Sequence, residues 1–144
     1  MANPEKLDNA VLDSSVIIKW FSEEEDTDIA LSLREKNING ELMIAVPDLS
    51  LYEVANALRY NPTIDEDNVK EAIDSIIALG INIVVPTKEV MDLAISFALK
   101  YDITVYDAYF IALAKVLDFA CITADEKLYQ KVKELNFVRL LKNC

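Results

Sequence analysis

Asn9-Ala10-Val11-Leu12-Asp13-Ser14-Ser15-Val16-Ile17-Ile18-Lys19-Trp20 is the stretch that decides how the rest of the chain is read. Val11 and Leu12 read as the end of a short buried strand, Asp13 follows at once, and two serines lead into an apolar run that can turn into a helix. Open α/β sheets place their ligands in the crevice outside the carboxyl ends of the strands. A carboxylate at that position is therefore a candidate functional group. Asp before a helix is also a favoured N-cap, and Asp13-Ser14-Ser15 carries that chemistry too. Three more acids in equally apolar settings, Glu53, Asp107 and Asp125, tip the balance: the expectation is that all four meet to hold a divalent metal.

Outward from this stretch, short apolar runs alternate with helical patterns. Residues 10–12 give the first strand and 14–21 a short helix, and a helix from 26 or 27 to 37 is stopped by Gly40. Leu42 to Val46 is a strand closed by Pro47, and Asp48 to Tyr60 a helix ended by Asn61-Pro62. Thr63-Ile64-Asp65-Glu66 reads as a capping box opening a helix that runs to Leu79 and Gly80. Ile81 to Val85 is the third strand; Thr87 caps a helix to Lys100, and another follows from Val105 to Leu117. Phe119 to Ile122 is the fourth strand, Thr123-Ala124-Asp125-Glu126 a second capping box starting a helix to Leu135, and Phe137 to Arg139 a last strand. Five short apolar strands separated by helices imply an α/β fold, a five-stranded parallel sheet with helices on both faces and right-handed crossovers.

At 144 residues the chain is read as one domain, residues 10–144, behind an N-terminal extension of residues 1–9. It is 53% hydrophobic but has no apolar run of about 18 residues that could span a membrane. Residues 1–9 lack the apolar core of a signal peptide, and the two cysteines, Cys121 and Cys144, make no disulfide framework. A cytoplasmic protein is expected. The formal charge is −11, spread unevenly: residues 1–99 hold 7 Lys/Arg against 19 Asp/Glu, residues 100–144 hold 7 against 6. Glu23-Glu24-Glu25-Asp26 reads as a solvated face. So acidic a chain needs bound metal and a local basic patch to meet a nucleic acid, and Lys19, Arg59, Lys115 and the Lys127/Lys131 pair are the candidate phosphate contacts. There is no histidine, which excludes His-based triads, histidine-ligated zinc and histidine general bases. With only Gly40 and Gly80 there is no glycine-rich phosphate loop.

Each remaining acid has a structural reading beside the functional one. Glu53 lies in a helix apolar nearly all round, with Asn56 three residues on and on the same face. A lone buried carboxylate is expensive, so Glu53 is held by an amide, by Arg59 or by a cation. Thr104-x-x-Asp107 fits a capping box, yet this helix carries no other charge until Lys115. Asp125 directly follows the fourth strand, where a helix dipole favours an acid. If the first and fourth strands are neighbours, Asp13 and Asp125 face one crevice, with Thr123 able to orient a carboxylate or a water. Two carboxylates about 4 Å apart repel by roughly 4 kcal/mol at an effective dielectric near 20, so a converging quartet calls for a cation. Oxygen-only ligation selects Mg²⁺ or Mn²⁺.

At these residues the sequence resembles the PIN-domain ribonucleases of the toxin type, the VapC family of toxin–antitoxin pairs. Asp13-Ser14-Ser15-Val16-Ile17-Ile18-Lys19-Trp20 is similar to the family's opening motif, and Pro47-Asp48 through Glu53-x-x-Asn56-x-Leu58 to its second. Tyr106-Asp107-Ala108-Tyr109 with Ala112-Leu113-Ala114 resembles the third, and Thr123-Ala124-Asp125-x-x-Leu128 the fourth. The resemblance implies Asp13, Glu53, Asp107 and Asp125 as catalytic, metal-holding residues supported by Ser15, Asn56 and Thr123. It further implies Mg²⁺- or Mn²⁺-dependent hydrolysis of RNA, an antitoxin partner and a homodimer. Asp102 departs from the glycine or asparagine common before the third motif, but Asp tolerates a left-handed turn. Two other phosphate-handling α/β families fit less well. A receiver domain expects paired acids after the first strand and a lysine ending the last, and a haloacid-dehalogenase-type phosphatase expects a second Asp where this chain has Ser15. A PIN-like module that binds RNA or protein without cutting is the remaining alternative.

Overall fold

Parallel pairing starts from the first strand, which takes a neighbour on each side. The computed structural model describes residues 7–144. Its strands are β1 (Asn9–Leu12), β2 (Met43–Pro47), β3 (Asn82–Val84), β4 (Ala120–Thr123) and β5 (Val138–Leu140). They form one sheet in the order β3-β2-β1-β4-β5. Every pairing is parallel, with Val11 opposite Ala45 on one side and Cys121 on the other. The helices are α1 (Ser14–Ile18), α2 (Thr27–Ile38), α3 (Leu49–Arg59), α4 (Glu66–Ala78), α5 (Lys88–Tyr101), α6 (Val105–Leu117) and α7 (Glu126–Val132), and a 3₁₀ turn spans Leu141–Asn143. The expected α/β class and five-stranded parallel sheet are as observed.

Side chains alternate across this sheet with the period of a strand, and both faces are dry. Leu12, Ile44, Val46 and Ile122 point into a core shared with Val16, Ile17, Leu33, Val54, Leu58 and Ile76 from the first four helices and with Trp20 in the turn after α1. Val11, Ala45 and Cys121 point the other way, against Val90, Ala94, Phe110, Leu113, Leu128 and Val132 from the last three. Helix α6 is buried continuously from Ala108 to Ala114, as expected of a helix apolar on every side. A long apolar helix in a small domain fixes its own first turn firmly, and Asp107 rides on that turn.

The two capping boxes are placed differently from expectation. Asp65, not Thr63, caps α4, accepting from Asn68 N–H at 2.8 Å, while Thr63 donates through both its N–H and its hydroxyl to Asn61 Oδ1. Likewise Asp125 caps α7, accepting from Leu128 N–H at 3.1 Å. In both places an Asp two residues past the threonine, a better N-cap than threonine, takes the terminal N–H. Helices α1 and α7 also end earlier than their apolar patterns suggest, at Ile18 and Val132. Asp102 ends α5 with φ +53°, the left-handed turn the sequence anticipates. Leu7 packs against the core just ahead of β1, and the rest of the expected N-terminal extension, residues 1–6, lies outside the described residues. No helix among the described residues is long and apolar enough to cross a membrane.

Candidate active site

Asp13 leaves the tip of β1 with its N–H donated to Ile122 O of β4 at 2.9 Å, so the central strand and its neighbour hold it from the backbone. It occupies the N-cap of α1 in extended geometry, yet its carboxylate caps nothing. Instead Oδ2 accepts two hydroxyl protons, from Ser15 at 2.7 Å and Thr123 at 2.8 Å. Those hydroxyls in turn accept backbone N–H groups: Ser15 Oγ from Ala124 at 2.9 Å, and Thr123 Oγ1 from Asp125 at 3.0 Å. The loop after β4 is thus laced to the tip of β1 through two side chains. Since each hydroxyl has one proton and both go to Asp13, the direction of the network is fixed.

Glu53 comes from the second turn of α3 and is half-buried. Its Oε1 accepts from Ser14 Oγ at 2.8 Å, and Ser50 Oγ lies 3.5 Å from the same hydroxyl. Among the described residues neither Arg59, which turns to Tyr60, nor an amide holds it. Asp107 stands in the first turn of α6, where Thr104 caps the helix by accepting its N–H at 3.0 Å. Asp125 is exposed beside it. Asp107 and Asp125 share a cleft of about 380 Å³ with Asp102, Thr104, Lys127 and Lys131.

Electrostatics tie the acids together. Burial pushes Asp13 up from 3.8 to about 6; the Ser15 and Thr123 hydrogen bonds oppose this, and the charges of Asp107 and Glu53 add to it. Glu53 is raised by burial and by Asp107 against the Ser14 hydrogen bond. Asp107 is raised by burial and then by Asp125, with Thr104 opposing. Each step couples one acid to the next, from Glu53 and Asp13 through Asp107 to Asp125. This is the signature of like charges crowded at one edge of a sheet.

The donor set suits a hard cation. All four groups are carboxylates, and Asp13, Glu53 and Asp125 each use one oxygen in the protein's own hydrogen bonds while the other has no described partner. As the side chains stand, no three acids among the described residues are gathered closely enough to grip an ion together. The expectation that all four meet is therefore not met as the side chains stand, and mutual repulsion opposes their closer approach without a cation.

The supporting residues divide. Ser15 and Thr123 touch Asp13 directly, whereas Asn56 is exposed and lines a groove with Leu51, Ala55, Arg59, Val69 and Ile73 between α3 and α4. Ser14, absent from the sequence-based set, is the residue that holds Glu53. Its only signal was its place between Asp13 and Ser15.

The sequence model of the PIN domain matches residues 10–134 of this chain. The chain belongs to the PIN-domain family. This PIN domain is 30% identical over 129 residues to ribonuclease VapC3 of Pyrobaculum aerophilum, covering 87% of this chain and 95% of that protein. Its fold is shared with a toxin–antitoxin complex from Klebsiella pneumoniae at TM-score 0.67 and 16% identity, over 92% of this chain and 97% of that one. It is also shared with VapBC2 from Rickettsia felis bound to a DNA fragment from their promoter, at TM-score 0.69 and 12% identity, over 92% and 96% of the two chains.

Proposed function

We propose that this PIN domain is an Mg²⁺- or Mn²⁺-dependent endoribonuclease that hydrolyses RNA phosphodiester bonds, and that it is the toxin of a VapBC-type toxin–antitoxin pair. The observation that carries the reading is Asp13: a buried carboxylate at the tip of the central strand, pinned on one oxygen by two hydroxyls, with Glu53 and Asp107 near enough to raise it. Sequence identity to a named ribonuclease supports the substrate class.

Asp13, Glu53, Asp107 and Asp125 are the residues that would hold the metal. When bound, such an ion acidifies a water and neutralises charge building on the phosphate. Ser15 and Thr123 keep the Asp13 carboxylate turned so that Oδ1 is available, and Ser14 does the same for Glu53. Glu53 or Asp125, each with an oxygen to spare, orients the attacking water. The water oxygen bonds to phosphorus and gives up a proton to solvent as the ester bond breaks, and the leaving sugar oxygen takes a proton from solvent, with no covalent enzyme intermediate.

An antitoxin partner is part of the proposal, supported by relatives solved as toxin–antitoxin assemblies. A homodimer in the cytoplasm is the proposed setting, and the exposed Tyr52, Val85, Leu99 and Tyr106 supply apolar surface for self-association. The test is RNA cleavage with Mg²⁺ or Mn²⁺ by wild type, Asp13→Asn and Asp107→Asn. Cleavage is expected in wild type and lost in both variants, with far-UV circular dichroism unchanged. Cleavage that survives either substitution refutes the assignment, and metal-independent RNA or partner binding without products makes the chain a binding module.

A further inference from the structure

The structure sorts the five cations that the sequence marks as phosphate contacts. Lys19 is largely buried, with its ammonium 3.4 Å from Glu24. Arg59 stacks over the Tyr60 ring at 4.4 Å. Lys115 lies over Phe137 at 5.7 Å in the last turn of α6, about 12 Å along the axis from Asp107. Only Lys127 and Lys131, one turn apart on α7, line the cleft that also holds Asp107 and Asp125.

The two lysines differ in what they do there. Lys131 Nζ donates to Asp102 O at 2.8 Å, strapping α7 to the left-handed corner from which α6 and Asp107 rise. That uses one of its three donors. Lys127 has neither an ion pair nor a hydrogen bond among the described residues. An ammonium with all its donors unspent, in a cleft that Asp102 and Asp107 line from one side and Asp125 from its own helix start, is available to an anionic ligand.

We propose that Lys127, with Lys131 beside it, forms a subsite for the RNA backbone phosphate next to the one that is cleaved. The proposal rests on the nuclease reading of the adjoining acids. A chain of charge −11 must draw a polyanion to its acidic edge, and this pair supplies local positive charge against that repulsion. A lysine ammonium is a point-charge partner for phosphate without the planar fork that reads bases, so the subsite positions the strand and leaves base choice to other groups.

The test is fluorescence anisotropy with a short labelled single-stranded oligoribonucleotide, in an Asp13→Asn background that spares the probe, across a KCl series. Lys127→Gln is expected to weaken binding several-fold and to reduce the slope of log affinity against log salt by about 0.7. Lys127→Arg restores most of both. Lys36→Gln, in the last turn of α2, changes neither. Thermal stability stays at the parent value in Lys127→Gln, because no contact is lost. In the otherwise wild-type protein, Lys127→Gln raises KM for the same RNA with kcat held. An unchanged affinity and slope in Lys127→Gln, or an equal loss in Lys36→Gln, overturns the subsite. If wild type does not cleave RNA while Lys127→Gln still weakens binding, the nuclease reading fails, and the subsite as stated is overturned with it, leaving a phosphate contact with no cleaved phosphate beside it.

Discussion

Asp13→Asn should abolish cleavage and at the same time make the metal-free protein more stable. Asn Oδ1 can accept the Ser15 and Thr123 hydroxyls as Asp13 Oδ2 does, so the hydrogen-bond pattern survives the exchange. What is removed is a charge that the fold holds at a loss. Burial raises Asp13 from 3.8 to about 6, and that gap corresponds to about 3 kcal/mol of native-state penalty on the ionised form. The sign follows from linkage. Below 3.8 the group is protonated in both folded and unfolded chains and costs nothing; as pH rises towards 6 the unfolded chain ionises first, and stability falls; above 6 the full penalty is present. Asp13→Asn should therefore gain up to about 3 kcal/mol at about pH 7.5 and almost nothing at about pH 4. Urea unfolding in EDTA, followed by the fluorescence of Trp20, the single and buried tryptophan, measures the difference. A variant no more stable than wild type at neutral pH, or one whose gain persists undiminished in acid, refutes the account of Asp13 as a strained, function-bearing charge.

Other outcomes follow from the same network. Asp125→Asn keeps an N-cap on α7 and should change stability by only a few tenths of a kcal/mol, whereas Asp125→Ala should cost about 1 kcal/mol more; both should lose cleavage, which separates the cap from the chemistry. Thr123→Val removes a donor from Asp13 and an acceptor from Asp125 N–H, so denaturation should show a loss of about 1–3 kcal/mol. Calorimetric Mg²⁺ affinity should fall by roughly 10–100-fold in the same variant, with Thr123→Ser restoring much of it. Mg²⁺ should lower the Asp13 pKa by cancelling repulsion from Asp107 and Glu53, and carboxyl NMR titrations with and without the ion should separate; superimposable curves would count against a common site.

Much of the fold was legible because a parallel sheet buried on both faces leaves unbroken apolar runs. Val11-Leu12, Ile44-Ala45-Val46 and Cys121-Ile122 are such runs, and each is a strand. The capping residues were harder, since Thr63 and Asp65, or Thr123 and Asp125, compete for the same helix start and only the surroundings decide. Thr123 Oγ1 donates to Asp13 and accepts from Asp125 N–H, which leaves the Leu128 N–H of the helix start to Asp125 Oδ1. Among site residues, the four acids stand out as charges in apolar segments, and a charge pattern is readable along a chain. Which hydroxyl reaches which acid is not, because it depends on β1 lying between β2 and β4 and on α1 leaning against α3. Hence Ser14 was missed as the holder of Glu53, and Asn56, sharing a face with Glu53 by helical spacing, turns out to line the α3–α4 groove.

The strand made first sits in the middle of the sheet, and one of its two neighbours is made almost last. During synthesis the N-terminal half of the sheet can pair β1 with β2 and β2 with β3, while the other edge of β1 stays bare until residues 120–123 emerge. Thr123, Ala124 and Asp125 arrive together with β4, and Leu141 joins the core after them. A nascent or truncated chain without residues 120–125 therefore has an Asp13 held by Ser15 alone, lacking the Thr123 hydroxyl and the Ile122 carbonyl that fix it in the folded sheet.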